Sequence, residues 1–549
     1  MQQDVITRAE AWLAEDPDPE TRAELAALLR ARDLDALGER FAGTLQFGTA
    51  GLRGELGAGP MRMNRVVVIR AAAGLAAYLK AKGRGDGLVV VGYDARHKSA
   101  DFARDTAAVM TAAGLRAAVL PRPLPTPVLA FAIRHLGAVA GVEVTASHNP
   151  PRDNGYKVYL GDGSQIVPPA DREIADAIDA IASIDDVPRA DDGWRTLGDE
   201  VLRAYLERTD AVLSPHSPRS ARVVYTAMHG VGREVLTAAF ARAGFPPPAL
   251  VAEQADPDPE FPTVAFPNPE EPGAMDLAFE AARAVAPDVV IANDPDADRC
   301  AVAVPDASAE GGWRMLRGDE VGALLAAHLV RKDASGVFAA SIVSSSLLGR
   351  IAAAAGLPHE ETLTGFKWIA RVEGLRYGYE EALGYCVDPA GVRDKDGITA
   401  ALLVAELVSE LKEQGRTLTD LLDELAVEHG LHATDQLSVR VEDLTVIADA
   451  MRTLRETPPT ALAGLRVAAA EDLAEGSAKL PPTDGLRYAL DGEYTARVIV
   501  RPSGTEPKLK CYLEVVVPVP SPSALSAARD AAKGVLEALK HDLSEAMGL

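Results

Sequence analysis

The chain has 549 residues, 48% of them hydrophobic and 25% charged, and a net charge of −24. That length points to about three to four domains, and the composition is that of a globular protein able to bury several cores without metal or disulfide staples. The acidic balance and the lack of a basic tract exclude nucleic acid or an anionic membrane surface as the main partner, so an anionic substrate has to be drawn in by a local cluster of Arg and Lys.

Residues 5–43 read as two or three helices, acidic and Ala-rich at the start. No basic stretch leads into an apolar one there, so no signal peptide is expected. Phe47 to Gly54 is Gly-rich around one arginine, Arg53, and reads as a connection packed close to something. A helix over Val66 to Lys82 follows, with Asn64 as a fair N-cap and Gly83 at its C-terminal cap. Leu88 to Val91 is a strand, Ser99 to Ala113 a helix, and Ala117 to Leu120 another strand; Pro125-Thr126-Pro127 opens a further helix. This is α/β alternation.

It leads to an apolar run, Ala138 to Val144, and then to Thr145-Ala146-Ser147-His148-Asn149-Pro150. The two prolines Pro150 and Pro151 stop any regular element. The stretch reads as a buried strand ending in a loop whose first exposed hydroxyl is Ser147, a plausible nucleophile, or as a turn with Ser and Asn as ordinary turn formers. Asn154-Gly155, flanked by strand-like residues, predicts a hairpin that folds Lys157 back beside this loop.

The acidic stretch Asp185 to Asp199 is the first candidate boundary. In the second unit, Arg222 to Ala227 is a strand, Val231 to Gly244 a helix, Pro246 to Pro272 a loop and Met275 to Val285 a helix. The strand Asp288 to Ala292 ends in Asn293-Asp294-Pro295-Asp296-Ala297-Asp298-Arg299. A third unit begins near Gly318. It carries a strand (Val337 to Val343), a helix (Ser346 to Ala355), the loops Thr364 to Trp368 and Gly378 to Gly384, and a long helix from Gly397 to Gln414. The last unit starts near Asp435, and its strand Tyr494 to Val500 ends in Arg501-Pro502-Ser503-Gly504-Thr505-Glu506-Pro507-Lys508.

Asp294, Asp296 and Asp298 alternate directly after a strand. Three carboxylates this close repel one another unless a cation sits between them. Hard oxygen ligands suit Mg2+, which leaves room for a phosphate. An EF-hand needs Gly and Glu where Arg299 and Pro305 stand. Arg501 to Lys508 makes either an anion cradle from a guanidinium, hydroxyls and freed backbone N–H groups, or a turn with flanking charges. It is no Walker A loop, whose spacing is absent from the chain. Ser147 with His148 does not read as a serine hydrolase, because adjacent residues of an extended loop point apart and no G-x-S-x-G elbow is present. His148 is expected to orient the loop or to contact phosphate. A serine, a metal site, two basic groups near the serine and a distant phosphate cradle together describe phosphoryl transfer on a phosphorylated substrate.

Thr145 to Pro150, Asp294 to Arg299, Gly378 to Glu381 and Arg501 to Pro507 resemble, in order, the four signature loops of the α-D-phosphohexomutases, the phosphoglucomutases and phosphomannomutases. Phe47 to Gly54, Thr226 to Gly230, Phe266 to Pro272 and Thr364 to Trp368 look most like the branch with phosphopentomutase-like and glucose-1,6-bisphosphate-synthase-like enzymes. The resemblance implies four domains around a central cleft: three similar α/β mixed-sheet domains at 1–205, 206–312 and 313–432, and a smaller α+β domain at 433–549. It implies an intramolecular phosphotransferase that interconverts hexose 1-phosphate and hexose 6-phosphate through phosphoserine at Ser147 and a sugar 1,6-bisphosphate. The alternatives are a phosphopentomutase and a glucose-1,6-bisphosphate synthase.

The resemblance further implies one Mg2+ held by Ser147, Asp294, Asp296 and Asp298, with Arg299 on the phosphoserine. Arg53, Lys157, His148 and Lys367 fall in the catalytic set. Glu380 and Glu381 meet the sugar, and Arg501, Ser503, Gly504, Thr505 and Lys508 the far phosphate. Where many relatives carry Ser two residues after the sugar loop's first Glu, this chain has Ala382. A sugar bisphosphate is expected as activator, sugar phosphates as the only partners, and a monomer or homodimer as the assembly. The three cysteines, Cys300, Cys386 and Cys511, are too sparse for a disulfide framework. They suit a reducing compartment. With no apolar run long enough to span a bilayer, a cytoplasmic protein is expected.

Overall fold

The computed structural model describes residues 2–48, 51–441, 443–477, 480–503 and 508–549. The chain forms two compact units: Met1–Met315 with Gly384–Ser409, and Leu316–Leu383 with Glu410–Leu549.

The first unit opens with three helices, Gln2–Glu15, Pro19–Ala31 and Leu34–Arg40. Asp18 and Asp33 cap the second and third by accepting backbone N–H bonds from Glu20 and Ala36. Two mixed sheets follow. The first runs in the order Leu52–Glu55, Asp153–Leu160, Ala140–Val144, Leu88–Tyr93, Arg116–Val119, Arg195–Thr196. The two pairings at its Leu52–Glu55 edge are antiparallel and the rest parallel. The strands Leu88–Tyr93 and Ala140–Val144 are rich in Val and, apart from Glu143, carry no charge, as expected of central parallel strands. Helix Arg65–Ala81 packs there through Val66, Val68, Ile69, Ala72 and Leu75; each buried Val, Ile or Leu side chain contributes about 1.5–3 kcal/mol. Asn64 caps this helix, its Oδ1 accepting from the N–H of Val67 at 3.0 Å. The second sheet runs Trp313–Met315, Ala301–Pro305, Val289–Ala292, Val223–Thr226, Ala249–Leu250.

In the second unit the strands His359–Thr362, Val337–Ser341 and Leu375–Glu380 are parallel neighbours. An antiparallel sheet follows, ordered Leu431–Arg440, Lys508–Val517, Thr495–Pro502, Leu486–Asp491, Leu465–Asp472, Ala461–Leu462. Helix Leu525–Met547 lies on it through Ala528, Ala532, Leu536, Leu539 and Leu543. A smaller core of Ile342, Val343, Leu363, Ile499 and Tyr512 joins residues of these two sheets. The fold class is thus α/β, as the alternation predicts. Among the described residues no helix is long and apolar enough to cross a membrane.

One predicted turn is absent. Asn154 and Gly155 lie inside the strand Asp153–Leu160, and the chain reverses earlier, between Val144 and Asp153. Tertiary contacts override the turn preference. Asn154 Nδ2 donates to His97 O at 2.8 Å and Ser99 Oγ at 3.0 Å. Gly155 serves close approach, since a Cβ there would lie 2.5 Å from Thr145 O. Leu52–Glu55, read as part of a Gly-rich connection, is the strand that pairs with Asp153–Tyr156. The segment 384–409 groups with the first unit.

Candidate active site

The reactive loop is held from behind by one arginine. Arg96 Nη2 donates to the carbonyls of Ser147 and Asn149 at 2.6 Å each, and Nη1 to those of Pro150 at 2.8 Å and Asp153 at 3.1 Å. Arg96 is itself fixed by Asp94 at 3.4 Å and by the ring of Phe261, 4.9 Å beneath its guanidinium. Ser147 has φ +51°, a left-handed conformation that costs a non-glycine residue of order 1–3 kcal/mol and persists only where the surroundings impose it. Its N–H donates to Thr145 Oγ1 at 2.9 Å.

Two sequence expectations change here. Ser147 is buried, 2% exposed, because its Oγ turns inward and donates to Asp294 Oδ2 at 2.7 Å. His148 does not point away either. The left-handed turn at Ser147 replaces the extended backbone assumed from sequence and brings His148 Nδ1 to 3.3 Å from Ser147 Oγ and 4.0 Å from Asp294 Oδ2. Burial, with Arg299 and Arg53 nearby, holds the His148 imidazole well below its ordinary pKa, so the ring is neutral. Arg53 Nη1 donates to Asn149 Oδ1 at 3.1 Å.

The carboxylate loop leaves the end of strand Val289–Ala292. Asp294 and Asp296 are fully buried and Asp298 is 1% exposed; one oxygen from each lies within 4.8 Å of the others. Two glycines make room for the loop. A Cβ at Gly230 would sit 2.3 Å from Pro295 Cα, and one at Gly397 2.2 Å from Arg299 O. Thr126 holds Asp296 twice, through Oγ1 to Oδ2 at 2.7 Å and N–H to backbone O at 3.0 Å.

Cations meet these acids directly. Lys157 Nζ lies 2.7 Å from Asp296 Oδ2 and 3.1 Å from Asp298 Oδ2. Lys395 Nζ lies 3.2 Å from Asp298 Oδ2 and 3.3 Å from Asp394 Oδ1. Arg299 donates its backbone N–H to Asp294 Oδ1 at 3.1 Å, and its Nε lies 3.7 Å from Asp294 Oδ2. Burial pushes Asp296 up, but the charge and hydrogen bond of Lys157 outweigh it and hold this carboxyl well below the usual range. Asp294 goes the other way, pushed well up by burial and by the charges of Asp296 and Asp298.

The residues fit a hard divalent cation. The donors are all oxygen; Oδ1 of Asp296 and Oδ1 of Asp298 are buried without a hydrogen-bond partner; and Asp294 is under pressure to take up a proton that a cation would relieve.

The other predicted residues lie in the second unit. The side chain of Glu381 accepts from Ser341 Oγ and Ser344 Oγ, both at 3.3 Å, and its N–H donates to Ser344 Oγ at 3.1 Å. Burial, then the neighbouring charges of Glu380 and Asp319, push the Glu381 carboxyl up to about 7. Lys367 is 5% exposed and stands 5.6 Å over the Trp368 ring. Arg501 pairs across strands with Lys510 and hydrogen-bonds Tyr512. Ser503 N–H donates to Lys508 O at 2.8 Å. Gly504 and Thr505 lie outside the described residues.

Arg96, Thr126 and Lys395 were not singled out from sequence. Asp94-Ala95-Arg96 at a strand end and Asp394-Lys395-Asp396-Gly397 before a helix were the available signals.

Four family models cover most of the chain: the phosphoglucomutase/phosphomannomutase alpha/beta/alpha domains I, II and III match residues 44–185, 203–310 and 317–428, and the C-terminal domain matches 458–530. The chain is 51% identical over 461 residues to the "Probable phosphomannomutase" of Haemophilus influenzae, covering 83% of this chain and 93% of that protein. It is 35% identical over 565 residues to the phosphopentomutase of Mus musculus, covering 92% and 89%. The fold matches the crystal structure of a phosphoglucomutase/phosphomannomutase family protein from Burkholderia thailandensis with a TM-score of 0.67 at 20% identity, over 90% of this chain and 97% of that one. With the serine and carboxylate loops joined as described, the chain belongs to the phosphoglucomutase/phosphomannomutase family of α-D-phosphohexomutases and is a phosphomutase, an isomerase.

Proposed function

We propose that the protein interconverts hexose 1-phosphate and hexose 6-phosphate, of glucose or mannose, with Ser147 as the residue that carries the phosphoryl group. The observation that carries this reading is the Ser147 hydroxyl held 2.7 Å from Asp294 inside a cluster of three buried acids. Asp294, Asp296, Asp298 and the phosphoserine oxygen would hold Mg2+, which supplies charge neutralisation at the transferring group.

Forward transfer breaks the Ser147 Oγ–P bond as a bond from phosphorus to a free sugar hydroxyl oxygen forms. The hydroxyl proton passes to a base, for which the imidazole of His148, 3.3 Å from Ser147 Oγ, is placed, and from there to the departing Ser147 oxygen, which regains its hydroxyl. Arg53 and Arg299 supply positive charge on the side of the loop where the phosphoryl oxygens gather. The resulting bisphosphate turns around, and its other phosphate returns to Ser147. Arg96 does not touch the substrate in this scheme; its four carbonyl contacts keep the loop in its left-handed turn.

Glu380, Glu381 and Lys367 are assigned to the sugar, and Arg501, Ser503, Gly504, Thr505 and Lys508 to the non-reacting phosphate. We assign the four domains to 1–205, 206–312, 313–432 and 433–549, each giving one loop. A sugar 1,6-bisphosphate as activator, a monomeric or homodimeric state and a cytoplasmic location complete the proposal.

The 51% relative named for a mannose phosphate favours a hexose. The mouse phosphopentomutase, matched over 92% of this chain, favours a pentose as the second reading. A panel of glucose-, mannose-, ribose- and deoxyribose-1-phosphate decides between them: the hexose reading expects kcat/KM to be highest for a hexose, and fails if a pentose leads. Product analysis without added bisphosphate separates a mutase from an enzyme that releases the bisphosphate. Intact-mass measurement of the isolated protein, followed by peptide mapping, tests phosphate on Ser147.

A further inference from the structure

Glu143 has no place in the chemistry above, yet it is one of the most unusual groups in the first unit. It sits on strand Ala140–Val144, four residues before Ser147, and is fully buried. Neither of its carboxylate oxygens has a hydrogen-bond partner. The strand β-register pairs it directly with Lys157 on Asp153–Leu160, and directly opposed residues of an antiparallel pair project from the same face. The carboxyl has been given space. Behind it stands Gly92, where a Cβ would lie 2.2 Å from Glu143 Oε2.

The charged and titratable groups around it are Asp94 at the end of the neighbouring strand, Lys157 opposite, Asp296 and Asp298 from the carboxylate loop, and the Tyr159 hydroxyl. Burial, then the charge of Asp94, hold the Glu143 carboxyl well above its ordinary pKa, with Lys157 pulling the other way. A buried acid with two empty oxygens is costly, and the ammonium on the same face that would satisfy it is bound instead to Asp296 and Asp298.

We propose that Glu143 is a positioning residue for the phosphoryl-transfer site: it is the second seat of the Lys157 ammonium, which swings from Asp296 and Asp298 to Glu143 when those carboxylates take a divalent cation. The inference rests on the reading of Asp294, Asp296 and Asp298 as the metal ligands. The physical reason is charge. A cation on the aspartates repels the ammonium beside them, and Lys157, 4% exposed, has no solvent to move into. Its cross-strand neighbour Glu143 is a carboxyl placed to receive it within the same pleat. In that seat Lys157 stays charged, and Glu143 gains the partner it lacks.

The test uses Mn2+ alone as probe, counting free metal by electron paramagnetic resonance, on the wild type, Glu143→Gln, Lys157→Met and the double variant, in full-length protein. With the seat removed, Glu143→Gln is expected to bind Mn2+ about tenfold more weakly, the loss typical of a residue supporting a metal site from outside it. In the Lys157→Met background the same substitution is expected to change Mn2+ binding less than twofold, because no ammonium needs the seat. A merely structural role for Glu143 would weaken binding equally in both backgrounds, and that result, or wild-type affinity in Glu143→Gln, overturns the proposal. Failure of the wild type to bind Mn2+ at all would instead overturn the metal reading. If Glu143→Gln does not fold, Glu143→Asp, which shortens the seat by one methylene, is expected to show the same background dependence with a smaller amplitude. Equal effects in the two backgrounds would overturn the proposal there too.

Discussion

The two units bury their acids in different ways. In the first, Asp296 and Asp298 are matched by lysines within 2.7 to 3.2 Å, and Asp296 is held well below the usual carboxylate range after burial is overcome by Lys157. In the second, Glu381 meets the hydroxyls of Ser341 and Ser344 at 3.3 Å and is pushed up to about 7. Asp319, hydrogen-bonded by Ser345 N–H and the Tyr379 hydroxyl, is pushed up to about 6 by burial. Charge is fixed at Asp296, where a lysine answers it, and adjustable at Glu381 and Asp319, as it also is at Asp294 in the first unit. A transfer site must present the same field in every turnover. A carboxyl held near neutrality can donate as well as accept, which suits the sugar-binding role proposed for Glu381.

The comparison breaks first at Ser147. Ser147→Ala is expected to abolish phosphate incorporation and to lower turnover on the order of 10⁴-fold or more, the scale seen when a nucleophile is removed. Steady-state kinetics with intact mass checks it, and an active, unmodified variant would remove the first region from the chemistry. Asp296→Asn comes next. It keeps the shape but leaves Lys157 with one partner fewer, and Mg2+ titration of activity is expected to shift upward by at least about 10-fold. An unchanged titration would mean that the carboxylates serve only their lysines.

In the second unit Arg501→Ala is expected to raise KM about 10- to 100-fold with a smaller change in kcat, because a hydrogen bond to a charged group contributes about 1.5–3 kcal/mol. An unchanged KM for every sugar phosphate moves the phosphate grip elsewhere.

The smallest effect sharpens the contrast. The Glu381 carboxyl is raised above its ordinary 4.5, so the folded state binds the proton more tightly than the unfolded one. Its contribution to stability is complete below about 4.5 and is lost as pH rises through about 7. Amide exchange in peptides from 316–383 is expected to quicken between pH 5 and 8, and to quicken less in Glu381→Gln, while peptides around 289–299 show no matching difference between the two proteins. Identical pH dependence in wild type and variant would show that Glu381 is not the titrating group.

Sequence alone determined more of the elements than of the site's wiring. The strand Ala140–Val144, the strand Val289–Ala292 and the hairpin around Arg501 are visible as short apolar runs that stop at Pro, Gly or Asp, since element ends are set by local backbone chemistry. The alternation of acids at 294, 296 and 298 marks a cation site for the same reason: it is a property of neighbouring residues. The α/β class follows from the order of elements. What only the tertiary structure decided is who pairs with whom. Lys157 reaches Asp296 across 139 residues and Ser147 reaches Asp294 across 147, and nothing in either segment encodes the other. Lys395 arrives on Gly384–Ser409, after the chain has left the first unit at Met315 and rejoined it at Gly384. The burial of Ser147, the approach of His148 and the failure of Asn154-Gly155 to turn share one cause: through-space contacts with Asp294, with Arg96 and with Ser99 fix backbone angles that local preference leaves open.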